Sequence, residues 1–178
     1  MSVIFRNSIK TAVLATFVLS VAPWQGVEAD QGLSPETLKE LAQVRRATAK
    51  YHDISNAIAD GYVDVSFVAP GIGCHMLNPF YAFDGVIDLN KPELLVYSDC
   101  SGTALGQSEL RAVEYSLICP LPACAETAIP EGFTGDHDAW ELFPGDLSAG
   151  IPPQWTLHAW VWRHNPDGVF VKVNPAVD

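Results

Sequence analysis

Three residues from separate segments of the chain carry side chains that ligate metals: His75, Glu114 and His158. His75 follows two closely spaced glycines, which allow the backbone to turn tightly and present the next side chain. Glu114 lies within the apolar run Leu110–Ile118, where a strand would place it on a face of small residues. Burying an acid there is costly unless the carboxylate is paired or ligates a cation.

His158 lies in the segment Trp155–His164, which sets a histidine among tryptophans. If this segment is a strand, one face carries Thr156, His158, Trp160, Trp162 and His164, and the other carries Trp155, Leu157, Ala159 and Val161. A histidine in such a position is either a hydrogen-bonded core residue or a ligand.

Two imidazoles and a carboxylate suit zinc, copper, iron or manganese. We therefore predict that His75, Glu114 and His158 bind one transition metal, with His52 from a preceding helix as a fourth candidate ligand. A metal with an open coordination position could activate water or dioxygen, as in a metal-dependent enzyme. The alternative is a non-enzymatic module, structural or binding a small ligand, whose core histidines are satisfied by hydrogen bonds.

Other candidate sites have weaker support. The segment Gly135–Glu141 holds three acids and His137, but their spacing is not that of an EF-hand, and a solvated acidic loop is the favoured interpretation. Trp160 and Trp162 could stack on a ligand, although packing between sheet and helix is favoured. The sequence contains no Gly-x-Ser-x-Gly motif, which would indicate a serine hydrolase.

Residues 1–29 have the pattern of a secretory signal peptide. Arg6 and Lys10 precede an apolar run, and Val27 and Ala29 are small residues before a plausible cleavage point. The run is shorter than the roughly 18 apolar residues of a transmembrane helix. We expect a periplasmic or secreted protein with no membrane insertion after signal removal, whose residues 30–178 form a single domain.

Negative charge is concentrated in the second part of the chain. The net charge is −11, and from Gly61 onward four basic residues oppose fifteen acids. Such a surface repels phosphate backbones and anionic lipids, so nucleic acid is not an expected partner. A cation or a small molecule is the expected ligand.

Four cysteines in an exported chain indicate two disulfides. Cys119 and Cys124 flank two prolines that bend a short ring, which favours this pair and leaves Cys74 to pair with Cys100. The spacing matches no zinc ribbon, so thiolate ligation is the less favoured interpretation.

The pattern of residues predicts an α+β domain in which one long N-terminal helix packs on a mainly antiparallel, twisted sheet. Ser34 and Pro35 mark the start of the helix, and Gly61 marks its end. Its apolar face would hold Leu41, Val44, Ala47, Tyr51, Ile54 and Ile58. The expected strands are Tyr62–Val68, Leu94–Tyr97, Leu110–Cys119, Trp155–His164 and Val169–Val173, with the last two forming a C-terminal β-hairpin around residues 165–168.

Several stretches together resemble a family of exported bacterial proteins with no assigned activity. They are Ala47–Asp53, Gly71–His75, Val113–Tyr115 and Leu157–Pro166, and the resemblance spans most of residues 30–178. The resemblance implies an exported bacterial protein but no particular cofactor or reaction. Cys74 replaces the hydrophobic residue expected in that pattern, which favours a disulfide particular to this chain.

Overall fold

The computed structural model describes residues 32–100, 108–119, 128–135 and 137–177, with only the backbone described at residues 66–69 and 149. The elements in chain order are helix α1 (Pro35–Thr48), a 3-10 helix (Ala49–His52), helix α2 (Ile54–Ala59), strands β1 (Val63–Ala69) and β2 (Gly73–Leu77), helix α3 (Pro79–Ala82), strands β3 (Leu94–Tyr97), β4 (Leu110–Ile118) and β5 (Glu141–Phe143), a second 3-10 helix (Leu147–Ala149) and strand β6 (Gln154–Ala159). The predicted signal peptide and Cys124 lie outside the described residues.

The strands form an antiparallel six-stranded sheet in the order β1-β2-β3-β4-β6-β5, which confirms the α+β class. Two of its strands were not expected. No strand was predicted around His75, which lies inside β2, and none was predicted at β5, which begins at the last residue of the acidic segment Gly135–Glu141. Both strands are short and lack a clear alternation of apolar and polar residues, which is the main sequence signal for a strand.

The predicted single helix from Ser34 to Asp60 is interrupted. Ser34 caps α1 as expected, accepting a hydrogen bond from the amide of Thr37. Asp53 then caps a new helix by accepting from the amide of Ser55, after the intervening 3-10 turn. Because the break changes the rotation of the chain, Ala57 is buried in place of Ile58, which is 52% exposed.

Different parts of the chain pack on the two faces of the sheet. One face, which we call the helix face, packs its buried side chains against α1 and α2 in a common hydrophobic core. That core includes Leu41 and Ile54 from the helices and Tyr115, Leu157 and Ala159 from the sheet. The opposite face carries His75, Glu114 and His158, and we call it the site face.

The predicted C-terminal hairpin is wrong. β6 ends at Ala159, and residues 160–177 form turns and irregular chain in the structure. Two buried asparagines hold this segment in place: the Asn165 side chain donates to the carbonyls of Val171 and Val173, and the Asn174 side chain donates to that of His164. These contacts replace the ladder of a hairpin, because side-chain amides satisfy backbone carbonyls that a partner strand would otherwise bind.

The irregular C-terminal segment packs against the site face of the sheet. Val177 lies in a small buried cluster with Val96, Ala112 and Trp160, and the amide of Asn174 donates to the carbonyl of Gly71. The last described residues therefore form part of the cover over the site face.

Cys74 and Cys100 form the predicted disulfide. Cys119 is also disulfide-bonded, and Cys124, its predicted partner, lies outside the described residues. Among the helices that the structure describes, none is long and apolar enough to cross a membrane.

Candidate metal centre

The registers of four neighbouring strands bring His75, Glu114 and His158 to one region of the site face. Glu114 of β4 is paired directly with His158 of β6, and Leu94 of β3 is its partner on the other side. His75 of β2 is paired with Val96 of β3, which in turn pairs with Ala112. Directly paired residues project to the same face of a sheet, so these side chains share one surface.

The three side chains approach one another closely enough to share a metal ion. His75 Nε2 lies 3.2 Å from Glu114 Oε2, and His158 Nδ1 lies 3.8 Å from Glu114 Oε1. One ligand atom from each residue can be chosen so that all lie within 4.8 Å of one another. Atoms bound to a tetrahedral zinc are about 3.4 Å apart, since each bond is roughly 2.0 to 2.1 Å long. A small closure of the group would therefore reach metal-binding geometry.

The group is almost completely removed from solvent. The exposed fraction is 3% for the side chain of His75, 10% for that of Glu114 and 3% for that of His158. The Nε2 atom of His158 is buried and has no hydrogen-bond partner among the residues described. Buried polar atoms nearly always have a hydrogen-bond partner. A buried nitrogen without one is therefore a candidate to bind an ion.

The electrostatics favour the protonation states that a metal requires. Burial alone would raise the pKa of Glu114, but the neighbouring His158 and His75 outweigh it and hold that pKa below its ordinary value. Burial lowers the pKa of His158 more strongly than the charge of Glu114 raises it. The shift of Glu114 favours the ionised carboxylate and that of His158 favours loss of the ring proton, and both changes are in the direction that metal binding requires.

Trp160 and the C-terminal segment enclose the group. The rings of His158 and Trp160 lie 20° from parallel with centroids 6.3 Å apart, and the Trp160 indole donates to the carbonyl of Val171 at 2.7 Å. Trp160 thus walls the site. It packs with Val96, Ala112 and Val177 on the site face and not, as was predicted for it, between sheet and helix. The alternative was that Trp160 stacks on a ligand. Trp160 is buried, so no exposed ring supports that interpretation.

His52 is not brought to the other three residues. It is exposed at the end of the 3-10 helix, and its ring packs edge-on against Trp162 with centroids 4.2 Å apart. Trp162 was expected to share a face with His158, but the strand ends before it and its indole donates to Thr48 of α1. His164, expected on that same face, is exposed.

The acidic segment Gly135–Glu141 does not assemble a cation site among its described members. Asp138 accepts from the amide of Phe133, His137 contacts the carbonyl of Gly32, and Glu141 pairs with Lys172. Asp136 lies outside the described residues. These separate contacts agree with the favoured interpretation of a surface loop.

Asp64, Cys74 and Cys100 also lie within ligand-sharing distance of one another. Both cysteines are joined in the disulfide, so neither offers a thiolate to a metal in this state. The His/Glu group is consequently the candidate that the structure favours.

Lys172 was not identified as a candidate from the sequence, and Glu141 was identified only as one acid of the segment Gly135–Glu141. Lys172 of the C-terminal segment donates to Glu141 of β5 at 3.0 Å, and Glu141 is paired with Thr156, two residues before His158. No local pattern could have revealed them, because their positions depend on how the irregular C-terminal segment crosses the sheet.

Comparisons of the chain with protein-family models, with curated proteins and with solved structures find no match.

Proposed function

We propose that this chain is an exported metal-binding protein whose mononuclear site is formed by His75, Glu114 and His158. The observation that carries the proposal is the convergence of three metal-ligating side chains in a buried position, within 4.8 Å of one another. A transition metal such as zinc, copper, iron or manganese fits this set of imidazole and carboxylate ligands.

A metal accounts for the buried charge better than an ion pair alone. The His75–Glu114 contact gains Coulomb energy, but taking a carboxylate out of water costs several kcal/mol, and an isolated pair offsets this only when all its polar atoms are satisfied. His158 adds a second buried ring to this pair: its Nδ1 lies 3.8 Å from Glu114 Oε1, and its Nε2 has no hydrogen-bond partner within the described residues. A divalent cation would bind all three side chains and compensate the carboxylate charge.

Three protein ligands are also the number that catalytic zinc sites provide, with water or substrate in the remaining position. Among the described residues, no fourth histidine, cysteine or acid joins the group. On this basis we propose that the centre is a candidate for metal-dependent catalysis, with the metal activating a bound water or dioxygen.

Export is supported by two independent features. The basic and apolar pattern of residues 1–29 is typical of a signal peptide, and the disulfide between Cys74 and Cys100 suits an oxidising compartment. The resemblance to exported bacterial proteins agrees with a periplasmic or secreted location.

The test is the metal content of untagged protein purified from the periplasm or the culture medium. We expect close to one transition-metal ion per chain by elemental analysis, and a lower melting temperature after chelation because a ligand of the folded state stabilises it. Metal content far below one per chain, with no binding when zinc, copper, iron or manganese is added, would favour the structural alternative. In that case the histidines serve only as hydrogen-bonded residues of the sheet.

A further inference from the structure

A cavity of about 440 Å³ lies away from the His/Glu group, on the helix-face side of the sheet. Its walls are residues 129–135, which we call the cavity loop, together with Asp138 and Trp140. A Cβ added at Gly132 of this loop would lie 3.2 Å from Cδ2 of Leu157, whose side chain belongs to the core of the helix face. The cavity and the candidate metal centre are therefore on opposite faces of the sheet.

Hydrogen bonds hold the cavity loop in place. The amide of Phe133 donates to Asp138 Oδ2 at 2.8 Å, and the amide of Thr134 donates to Glu40 Oε2 of α1 at 2.7 Å. The Thr134 hydroxyl donates to the other oxygen of Glu40, and the Thr134 carbonyl accepts from the hydroxyl of Thr37. The cavity is thus formed before any ligand arrives, as in most small-molecule sites.

Apolar side chains make up much of the wall. Ile129, Pro130, Phe133 and Trp140 all line the cavity. Phe133 is buried in the core of the helix face, and Trp140 is partly buried against it, whereas Ile129 is 62% exposed. An apolar body placed in the cavity would cover this exposed surface, which favours its binding.

The polar part of the wall is negatively charged. The carboxylates of Glu131 and Asp138 line the cavity, and no lysine or arginine of the described chain does. Neither carboxylate forms an ion pair within the described residues. Burial raises the pKa of Asp138 to about 6, so its carboxylate is still mainly ionised at neutral pH. The cavity therefore offers an uncompensated negative charge beside an apolar surface.

This combination fits an organic cation better than a metal ion. Among the described residues, Glu131 and Asp138 belong to no group of three metal-ligating side chains within reach of one another. An ammonium group needs no such group of ligands, because it donates charge-assisted hydrogen bonds to a carboxylate. An aromatic ring such as that of Trp140 also attracts a cation placed over its face.

We propose that this cavity binds a small organic amine in its ammonium form, with the ammonium at Asp138 and the apolar body against Trp140 and Ile129. The site is separate from the His/Glu group and does not depend on the proposed metal. It gives the chain a second ligand, of a chemical class that the metal centre would not bind.

The experiment compares two probes of equal size on the full exported chain at neutral pH and about 0.15 M salt. Phenethylammonium carries the charge, and 2-phenylethanol has the same number of non-hydrogen atoms without it. Saturation-transfer NMR titrations measure both affinities. We expect phenethylammonium to bind with a dissociation constant of about 1 mM or lower, and the alcohol to bind about tenfold more weakly.

Replacing Asp138 by Asn removes the charge but keeps an oxygen that accepts from the amide of Phe133. This variant should weaken phenethylammonium binding about tenfold and leave the alcohol unchanged, which also shows that the cavity is intact. Asp146→Asn is the matched control, because Asp146 also accepts a backbone amide, that of Ser148, but at an exposed position outside the cavity. Its affinities for both probes should equal those of wild type.

Three results would overturn the amine site. They are equal affinities of wild type for the two probes or no binding of either, wild-type affinity of the Asp138→Asn variant for phenethylammonium, and displacement of phenethylammonium by one equivalent of zinc. The last would mean that the carboxylates of the cavity bind an inorganic ion. His158→Ala should bind phenethylammonium like wild type, so a failure of the proposed metal centre is observed separately from a failure of the amine site.

Discussion

His75 Nε2 lies 3.2 Å from Glu114 Oε2, although β3 separates the strands that carry the two residues. The contact forms because His75 reaches over β3 towards β4, where the residue paired with Val96 is Ala112. Ala112 itself packs with Val96, Trp160 and Val177 in the small buried cluster of the site face.

Replacing Glu114 by Gln should weaken zinc binding at least about 100-fold, because the amide removes the negative charge that compensates the metal. The affinity is measured by competition with a chromophoric chelator. Glu109→Gln is the control, since Glu109 is exposed just before β4 and belongs to a surface pair with Arg111. Equal affinities for the Glu114 variant and wild type would contradict ligation by this carboxylate.

Replacing His158 by Ala should abolish the quenching of Trp160 fluorescence by copper(II). The wild-type protein is expected to lose part of its tryptophan emission on addition of one equivalent of copper, because the Trp160 and His158 ring centroids are only 6.3 Å apart. His164→Ala provides the comparison, since His164 is an exposed histidine a few residues along the chain. If both variants are quenched like wild type, copper binds elsewhere.

Glu93 should make the protein less stable as the pH rises. Burial raises the pKa of Glu93 to about 8, and its Oε2 accepts a hydrogen bond from the amide of Ser116. The unfolded chain loses this proton near its ordinary value of 4.5 while the folded chain retains it, so the contribution to stability is full below pH 4.5 and falls until about pH 8.

Glu93→Gln keeps the neutral state at every pH and should remove this loss. Relative to wild type, the variant should gain on the order of 2 to 4 kcal/mol in the free energy of unfolding between pH 5 and pH 8.5. Urea denaturation at both pH values measures the difference. Glu131→Gln, at an exposed position, should show no such gain, and a pH-independent difference for Glu93→Gln would show that its carboxyl is ionised in the folded protein.

Gly73→Ala should destabilise the fold by about 2 to 4 kcal/mol. Gly73 begins β2 with a φ of +91°, and an added Cβ would lie 2.7 Å from the carbonyl oxygen of Tyr97. Gly150 also has a positive φ, +75°, but no atom lies within 4 Å of its Cβ position. Gly150→Ala should therefore cost only about 1 kcal/mol, and thermal denaturation of the two variants separates steric contact from backbone strain.

The helical and strand patterns were largely predictable because each depends on neighbouring residues. The cap at Ser34, the buried positions Leu41 and Val44, and the strand Leu94–Tyr97 follow from local chemistry and from alternation. The prediction of a C-terminal hairpin was wrong because the side chains of Asn165 and Asn174 hold the chain in an irregular path by hydrogen bonds to backbone carbonyls. Such single contacts leave no periodic pattern in the sequence.

The candidate centre was likewise predictable only in part. Sequence alone identified His75, Glu114 and His158, because a titratable residue within an apolar segment must be paired or coordinated if it is buried. Only the tertiary structure decided that these three converge and that His52 lies elsewhere. The physical reason is strand register: which residues face each other across a sheet depends on how segments distant in sequence pair, and that pairing is fixed only when the whole sheet assembles.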